Sequence, residues 1–240
     1  YLRRLGETLL VSITHHPARD AAATYKCVYH SDRVCFEAAW PDLEAHMTVW
    51  VSPEDDVEFR RIELRNLSDQ VMDLELMSAF EVTLADPMAD EAHPAFSNLF
   101  ISAEWQGEHE ALIFERTPRL SNEKRLCAAH FLTESDSNVV GIRAQTDRKK
   151  WLGRNHQADQ PVAQLDELRS SARGQATEAN TLLVTGLDPM CALAVQVRIA
   201  PNAKAKLTFA TAASDDRHTL SAVIDKYRQG SNVQRASLMS

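Results

Sequence analysis

The densest cluster of chemically capable side chains is Thr146-Asp147-Arg148-Lys149-Lys150-Trp151-Leu152-Gly153-Arg154-Asn155, in which cations surround one indole and one glycine. An indole covers the apolar face of a pyranose. A guanidinium donates forked hydrogen bonds to hydroxyl, carboxylate or phosphate oxygens. The run has neither a helical nor a strand period, so it reads as a shaped loop presenting Asp147, Arg148, Trp151 and Arg154 to a sugar-like or phosphate-like ligand. The same residue types fit a plainer arrangement, an Asp–Arg pair and a half-buried Trp closing a surface loop.

Other reactive side chains lack the spacing that chemistry requires. Glu81, Asp86, Asp90 and Glu91 with His93 show no H-x-x-x-H, no H-E-x-x-H and no repeated D-x-D that would place several ligands on one face. They read as a solvated acidic loop leading into Pro94. His15-His16 before Pro17 read as surface residues, and His130 beside Phe131 as a core histidine. No G-x-S-x-G, Walker sequence or Cys/His pairing is present. Glycosidic cleavage needs a carboxylic acid held in a cleft with a raised pKa, and the sequence marks none. No metal or cofactor is expected.

The elements that must carry these residues are strands. Leu43, Ala45, Met47, Val49 and Val51 alternate with Glu44, His46, Thr48 and Trp50, and Leu74, Leu76, Ser78, Phe80, Val82 and Leu84 form a second such face. Cys191 to Ile199 and Leu207 to Thr211 read as a hairpin turned at Pro201-Asn202. At Arg60-Arg61 the period slips, from Val57 and Phe59 to Ile62 and Leu64, which a bulge or a strand crossing between sheets would explain. One helix is signalled: Ser214 as N-cap, Asp215 and Asp216 in the first turn, an apolar face of Leu220, Val223, Ile224 and Tyr227, and Gly230 past its end. Short strands with polar turns and a single helix predict a β-sandwich rather than a βαβ fold.

Composition sets the outer bounds. With 240 residues, 44% of them hydrophobic, the chain builds a sizeable core. A formal charge of −8 argues against a nucleic-acid backbone or an anionic membrane as main partner. Cys27, Cys35, Cys127 and Cys191 lie far apart with no ligand or disulfide spacing, which suits reduced thiols in a cytosolic setting. No apolar run spans a membrane, and the opening Tyr1-Leu2-Arg3-Arg4 has no signal-peptide profile, so the chain reads as excised from something longer.

Four segments in order carry a resemblance: Val51-Ser52-Pro53-Glu54-Asp55-Asp56-Val57-Glu58 with its continuation to Asn66, Ala92-His93-Pro94-Ala95-Phe96-Ser97-Asn98-Leu99-Phe100, Thr146 to Arg154, and Gly186-Leu187-Asp188-Pro189. From about Thr14 to Tyr227 the chain resembles glycoside hydrolase family 94, formerly glycosyltransferase family 36. The acidic run and the A-H-P-A-F segment are most similar to the phosphorylase-like region of the bacterial cyclic β-1,2-glucan synthase branch. The resemblance implies a galactose-mutarotase-like supersandwich over residues 1–213 and the start of a linker helix over 214–240. It also implies an (α/α)6 barrel, beyond this sequence, that holds the catalytic Asp and the phosphate site. In such enzymes the sandwich packs on the barrel, mediates dimer contacts and reaches a neighbouring active site with its loops. Asp147, Arg148, Trp151 and Arg154 are then the substrate-facing candidates, with Trp151 standing where the family more often has Phe.

The resulting expectation is a non-catalytic carbohydrate-binding and interdomain module. Its partners would be a β-glucan oligosaccharide, the barrel and a second copy, with no nucleic acid. Its parent enzyme would lie at the cytoplasmic face of a bacterial inner membrane. Two alternatives stand beside it. One is a self-sufficient mutarotase-type enzyme in which His46 and Glu44, two apart on one strand face, exchange protons with a sugar. The other is a purely structural dimerisation domain.

Overall fold

The computed structural model describes residues 1–119, 123–133, 139–170, 175–176 and 180–240. Its strands, numbered along the chain, form two antiparallel sheets. The smaller runs β1 (Leu2–Arg4), β6 (Met72–Glu81), β14 (Pro189–Ile199), β10 (Val139–Asp147), β11 (Asp166–Ser170) and β12 (Gln175–Ala176). The larger runs β13 (Thr181–Leu183), β7 (Ile101–Gln106), β8 (Ala111–Arg116), β9 (Leu126–Leu132), β15 (Lys204–Ser214), β5 (Val57–Asn66), β4 (Leu43–Val51), β3 (Arg33–Ala39) and β2 (Thr24–Tyr29). Alternation puts Leu74, Leu76, Leu193, Val195 and Val197 on the inner face of the small sheet, against Leu43, Ala45, Ile62, Leu64, Leu207 and Phe209 from the large one.

The expected hairpin at Pro201-Asn202 is instead a corner between sheets. β14 pairs with β6 and β10, whereas β15 pairs with β5 and β9. Both strands carry an apolar inner face, and those faces meet across the sandwich rather than side by side. Asn66 secures the corner by donating from Nδ2 to the carbonyls of Ile199 at 3.3 Å and Ala200 at 3.1 Å.

The slip at Arg60-Arg61 is not a bulge. β5 pairs residue for residue with β4 and β15 straight through Arg60 and Arg61. What changes is the face that is covered. Ile62 and Leu64 point into the sandwich, while Val57 and Phe59 point outward into a second core with Trp50, Phe131, Ala210 and Ala212. Trp50, which alternation grouped with Glu44 and His46, is therefore buried.

Helix α4 (Arg217–Tyr227) covers that second core with Leu220, Ile224 and Tyr227. Three such side chains contribute roughly 1.5–3 kcal/mol each when fully buried. The cap is Asp216 rather than Ser214, its Oδ2 accepting from the Thr219 amide at 2.7 Å. Gly230 does not end the segment but opens a further helix, α5 (Gly230–Met239), which sequence reading missed because its apolar stripe is only Val233 and Ala236. Three shorter helices lie at one end of the sandwich. All four cysteines are free.

Candidate functional site

Three of the sequence segments singled out above meet at one end of the sandwich. Between β6 and β7 the chain forms α1 (Pro87–Ala92) and α2 (Pro94–Asn98), where a loop was expected. Asp86 makes α1 possible, its Oδ1 accepting from the amides of Met88 at 3.0 Å and Ala89 at 3.4 Å, with Pro87 preset for the first turn. Phe96 and Phe100 lie under the Arg119 guanidinium at 4.3 and 5.0 Å. Asn98 Nδ2 then reaches the Leu187 carbonyl at 3.5 Å, and Thr146 Oγ1 donates to that of Val184 at 2.9 Å. Among the described residues no group of His, Cys, Asp and Glu is arranged to hold a metal ion.

The run from Asp147 to Arg154 is a capped helical turn, α3 (Arg148–Leu152), and not a loop. Asp147 ends β10 and caps α3, its Oδ1 accepting from Lys149 N at 2.9 Å and Lys150 N at 3.4 Å. Gly186 has φ +62°, and a Cβ there would sit 2.7 Å from Asp147 Oδ2, so the G-L-D-P turn can close on the cap only with glycine. Arg148 is committed to structure. Its backbone N donates to Asp188 O, Nη1 lies 3.1 Å from Asp188 Oδ2 and Nε lies 3.0 Å from Glu81 Oε1.

Trp151 faces inward. It is 3% exposed, packs with Leu10, Met77, Ala163, Leu165 and Met190 on the outer face of the small sheet, and donates Nε1–H to Met77 Sδ at 3.1 Å. Its ring is not presented to a ligand at this surface, and the half-buried arrangement understates its burial. Gly153, at φ +84° with Val162 against its α-carbon, turns the chain back so that Ala163 N reaches Trp151 O at 2.8 Å. Arg154 is exposed, as are Lys149 and Lys150, and these three make no ion pair with any described residue. The four candidates thus divide: Asp147, Arg148 and Trp151 build the turn, and Arg154 stands free on it.

His46, Glu44, His130 and Glu75 lie apart from this end. His46 Nε2 is 3.3 Å from Glu37 Oε1, and Glu44 Oε2 is 3.5 Å from Arg65, both on the outer face of the large sheet. Neither lines the cleft of about 130 Å³ between the sheets, which Ser78, Met47, Arg60 and Phe209 border. His130 is a core residue, stacked on Phe209 at 5.5 Å with Nδ1 2.9 Å from Thr211 Oγ1. Burial pushes its pKa down to about 3, with the charge of Arg60 adding to the effect. Sequence reading also missed Glu75, a carboxylate with a fully buried side chain that pairs with Arg3, with Arg143 Nη1 at 3.1 Å and with Gln196 Nε2 at 3.1 Å. The available signal was a charge inside the apolar run Leu74-Glu75-Leu76.

The profile described as glycosyl hydrolase 94, supersandwich domain, matches residues 1–230. The chain belongs to this family. The supersandwich is 28% identical over 217 residues to the cyclic beta-(1,2)-glucan synthase NdvB of Rhizobium meliloti (strain 1021), covering 90% of this chain and 7% of that protein. Among solved structures it is similar to heparinase III (12% identity, 87% of this chain and 24% of that one, TM-score 0.35). It is also similar to a putative aldose 1-epimerase from Klebsiella pneumoniae subsp. pneumoniae MGH 78578 (10% identity, 86% and 58%, TM-score 0.33). No helix among the described residues is long and apolar enough to cross a membrane.

Proposed function

We propose that the chain is a non-catalytic supersandwich module of a cyclic β-1,2-glucan synthase or related β-glucan phosphorylase, one that supports a separate catalytic barrel and presents the α3 turn to carbohydrate. The observation that carries this reading is the division of labour within α3. A buried Trp151 and a doubly tied Arg148 make the turn rigid, and Lys149, Lys150 and Arg154 project from it without ionic partners among the described residues. Cations on a rigid base donate to hydroxyl and phosphate oxygens with no backbone left to order, so the entropic cost of binding falls on the side chains alone. The family match and the likeness to a glucan synthase support a β-glucan oligosaccharide as the ligand class. A second copy and the cytoplasmic face of an inner membrane complete the proposed setting.

Calorimetric titration of the chain with linear and cyclic β-1,2-glucans, and separately with inorganic phosphate, tests this. Saturable heat that disappears in Arg154→Ala, with an unchanged melting temperature, is the expected result. No heat at millimolar glucan or phosphate would reduce the module to an architectural role.

A further inference from the structure

The acidic family segment Ser52-Pro53-Glu54-Asp55 connects β4 to β5 and points at the C-terminal helices, not at the α3 end. Helix α4 is docked by its apolar stripe, whereas α5 adds only Val233 and Ala236 to the same core. α5 buries Val233, Ala236 and Ser237, while Leu238 and Met239 are 82% and 55% exposed. Its remaining fixed points are polar. Arg235 Nη2 lies 2.9 Å from Glu54 Oε2 near the middle of the helix. At its far end Arg33 Nη2 donates at 2.9 Å to the carbonyl of Ser237, one of the last-turn carbonyls that have no partner within the helix.

The same loop holds the corner between the two helices. Asp55 Oδ2 accepts from Tyr227 Oη and from Lys226 Nζ, both at 2.6 Å, and Glu54 Oε2 lies 3.0 Å from Lys226 Nζ. Ser52 Oγ is 2.9 Å from Tyr227 Oη. Asn232 Nδ2 donates to Lys226 O at 2.7 Å, which ties the first turn of α5 back to the end of α4.

We propose that Ser52, Glu54 and Asp55, together with Arg33 of β3, form a polar latch that sets the direction of α5 against the sandwich, beyond what the apolar contacts of α4 and of Val233 and Ala236 fix. A latch differs from a packed interface in what it tolerates. Neutralising Glu54 and Asp55 leaves the apolar residues of both cores in place, costs α4 only the polar partners of its last turn, and chiefly releases the helix with the fewest apolar contacts. Any domain carried beyond α5 inherits that angle. The latch stands whether or not α3 binds sugar.

Spin labels at the exposed positions Leu182 on β13 and Leu238 on α5 read the angle as a distance distribution in the chain itself. The unmodified chain should give one narrow distance. The double variant Glu54→Gln, Asp55→Asn should broaden it, and amide exchange in α5 should accelerate at least tenfold while that of β14 and of α4 ahead of its last turn stays unchanged. An unaltered distribution overturns the proposal, as does acceleration of equal size in α5, α4 and β14, which would mark a general loss of stability. Should the double variant not fold, Arg235→Gln removes a single half-exposed partner of Glu54. That variant must broaden the distribution too, and a narrow distance would again overturn the latch.

Discussion

Trp151 and Arg154 are three residues apart and stand on opposite sides of one question, because the first is core and the second is surface. Trp151→Ala empties a buried site and is expected to destabilise the chain by roughly 3–5 kcal/mol, read as a lower urea midpoint at unchanged slope. Arg154→Ala should leave stability within about 0.5 kcal/mol. Equal effects would mean that the turn is not built as described. His130 makes a second residue-scale prediction, in pH. Its folded pKa, about 3, lies below the ordinary histidine value of 6.5, so the unfolded chain takes up a proton as pH falls through 6.5 and the folded chain does not. Stability is therefore full above that value and declines below it, by roughly 2 kcal/mol at pH 5. Urea unfolding at pH 7 and pH 5 should show a loss of this size that is absent in His130→Asn.

At the scale of elements, strand β5 shows both what sequence patterning carries and where it fails. Its alternation was legible, and so was the break at Arg60-Arg61, but a break in apolar period has more than one cause. Period records which face is covered, not whether pairing continues. Only the position of α4, remote in sequence, distinguishes a bulge from an exchange of covered faces. The same reason hid the corner at Pro201-Asn202, since two apolar-faced strands joined by a turn look alike whether they pair or face each other. α4 was legible because its stripe and cap are local. α5 was not, because its apolar stripe is only Val233 and Ala236 and its polar anchors, Glu54 and Arg33, lie far upstream. In the candidate site the residue types pointed to the right segment and the wrong geometry. Trp151 sits among cations with no periodic neighbours, and the partners that bury it, Leu10, Met77, Ala163, Leu165 and Met190, come from separate stretches of chain. Gly186 could be flagged as a turn glycine, but not as the space into which Asp147 fits.

On the scale of the whole molecule, the large sheet is a wall shared by two cores, one against the small sheet and one against α4 and α5. A chain ended at Ser214 keeps every strand and the inner core but uncovers Trp50, Val57, Phe59, Ile113 and Phe131 on one contiguous face. Such a face exceeds what a soluble monomer usually shows. The truncated chain is expected to bind a hydrophobic dye and self-associate in light scattering, with far-ultraviolet circular dichroism still dominated by strand. A monodisperse truncation would mean that the helices add little to the second core.

The shared wall also bears on how the chain is made. Trp50 and Phe59 leave the ribosome well before Leu220, Ile224 and Tyr227, which cover them. The inner core can close once β15 has inserted between β5 and β9, but the outer face of that same sheet stays wet until α4 follows. Throughout that interval the nascent domain carries an open apolar patch beside its site of synthesis. The pace at which α4 emerges sets how long that patch is available to the wrong partner.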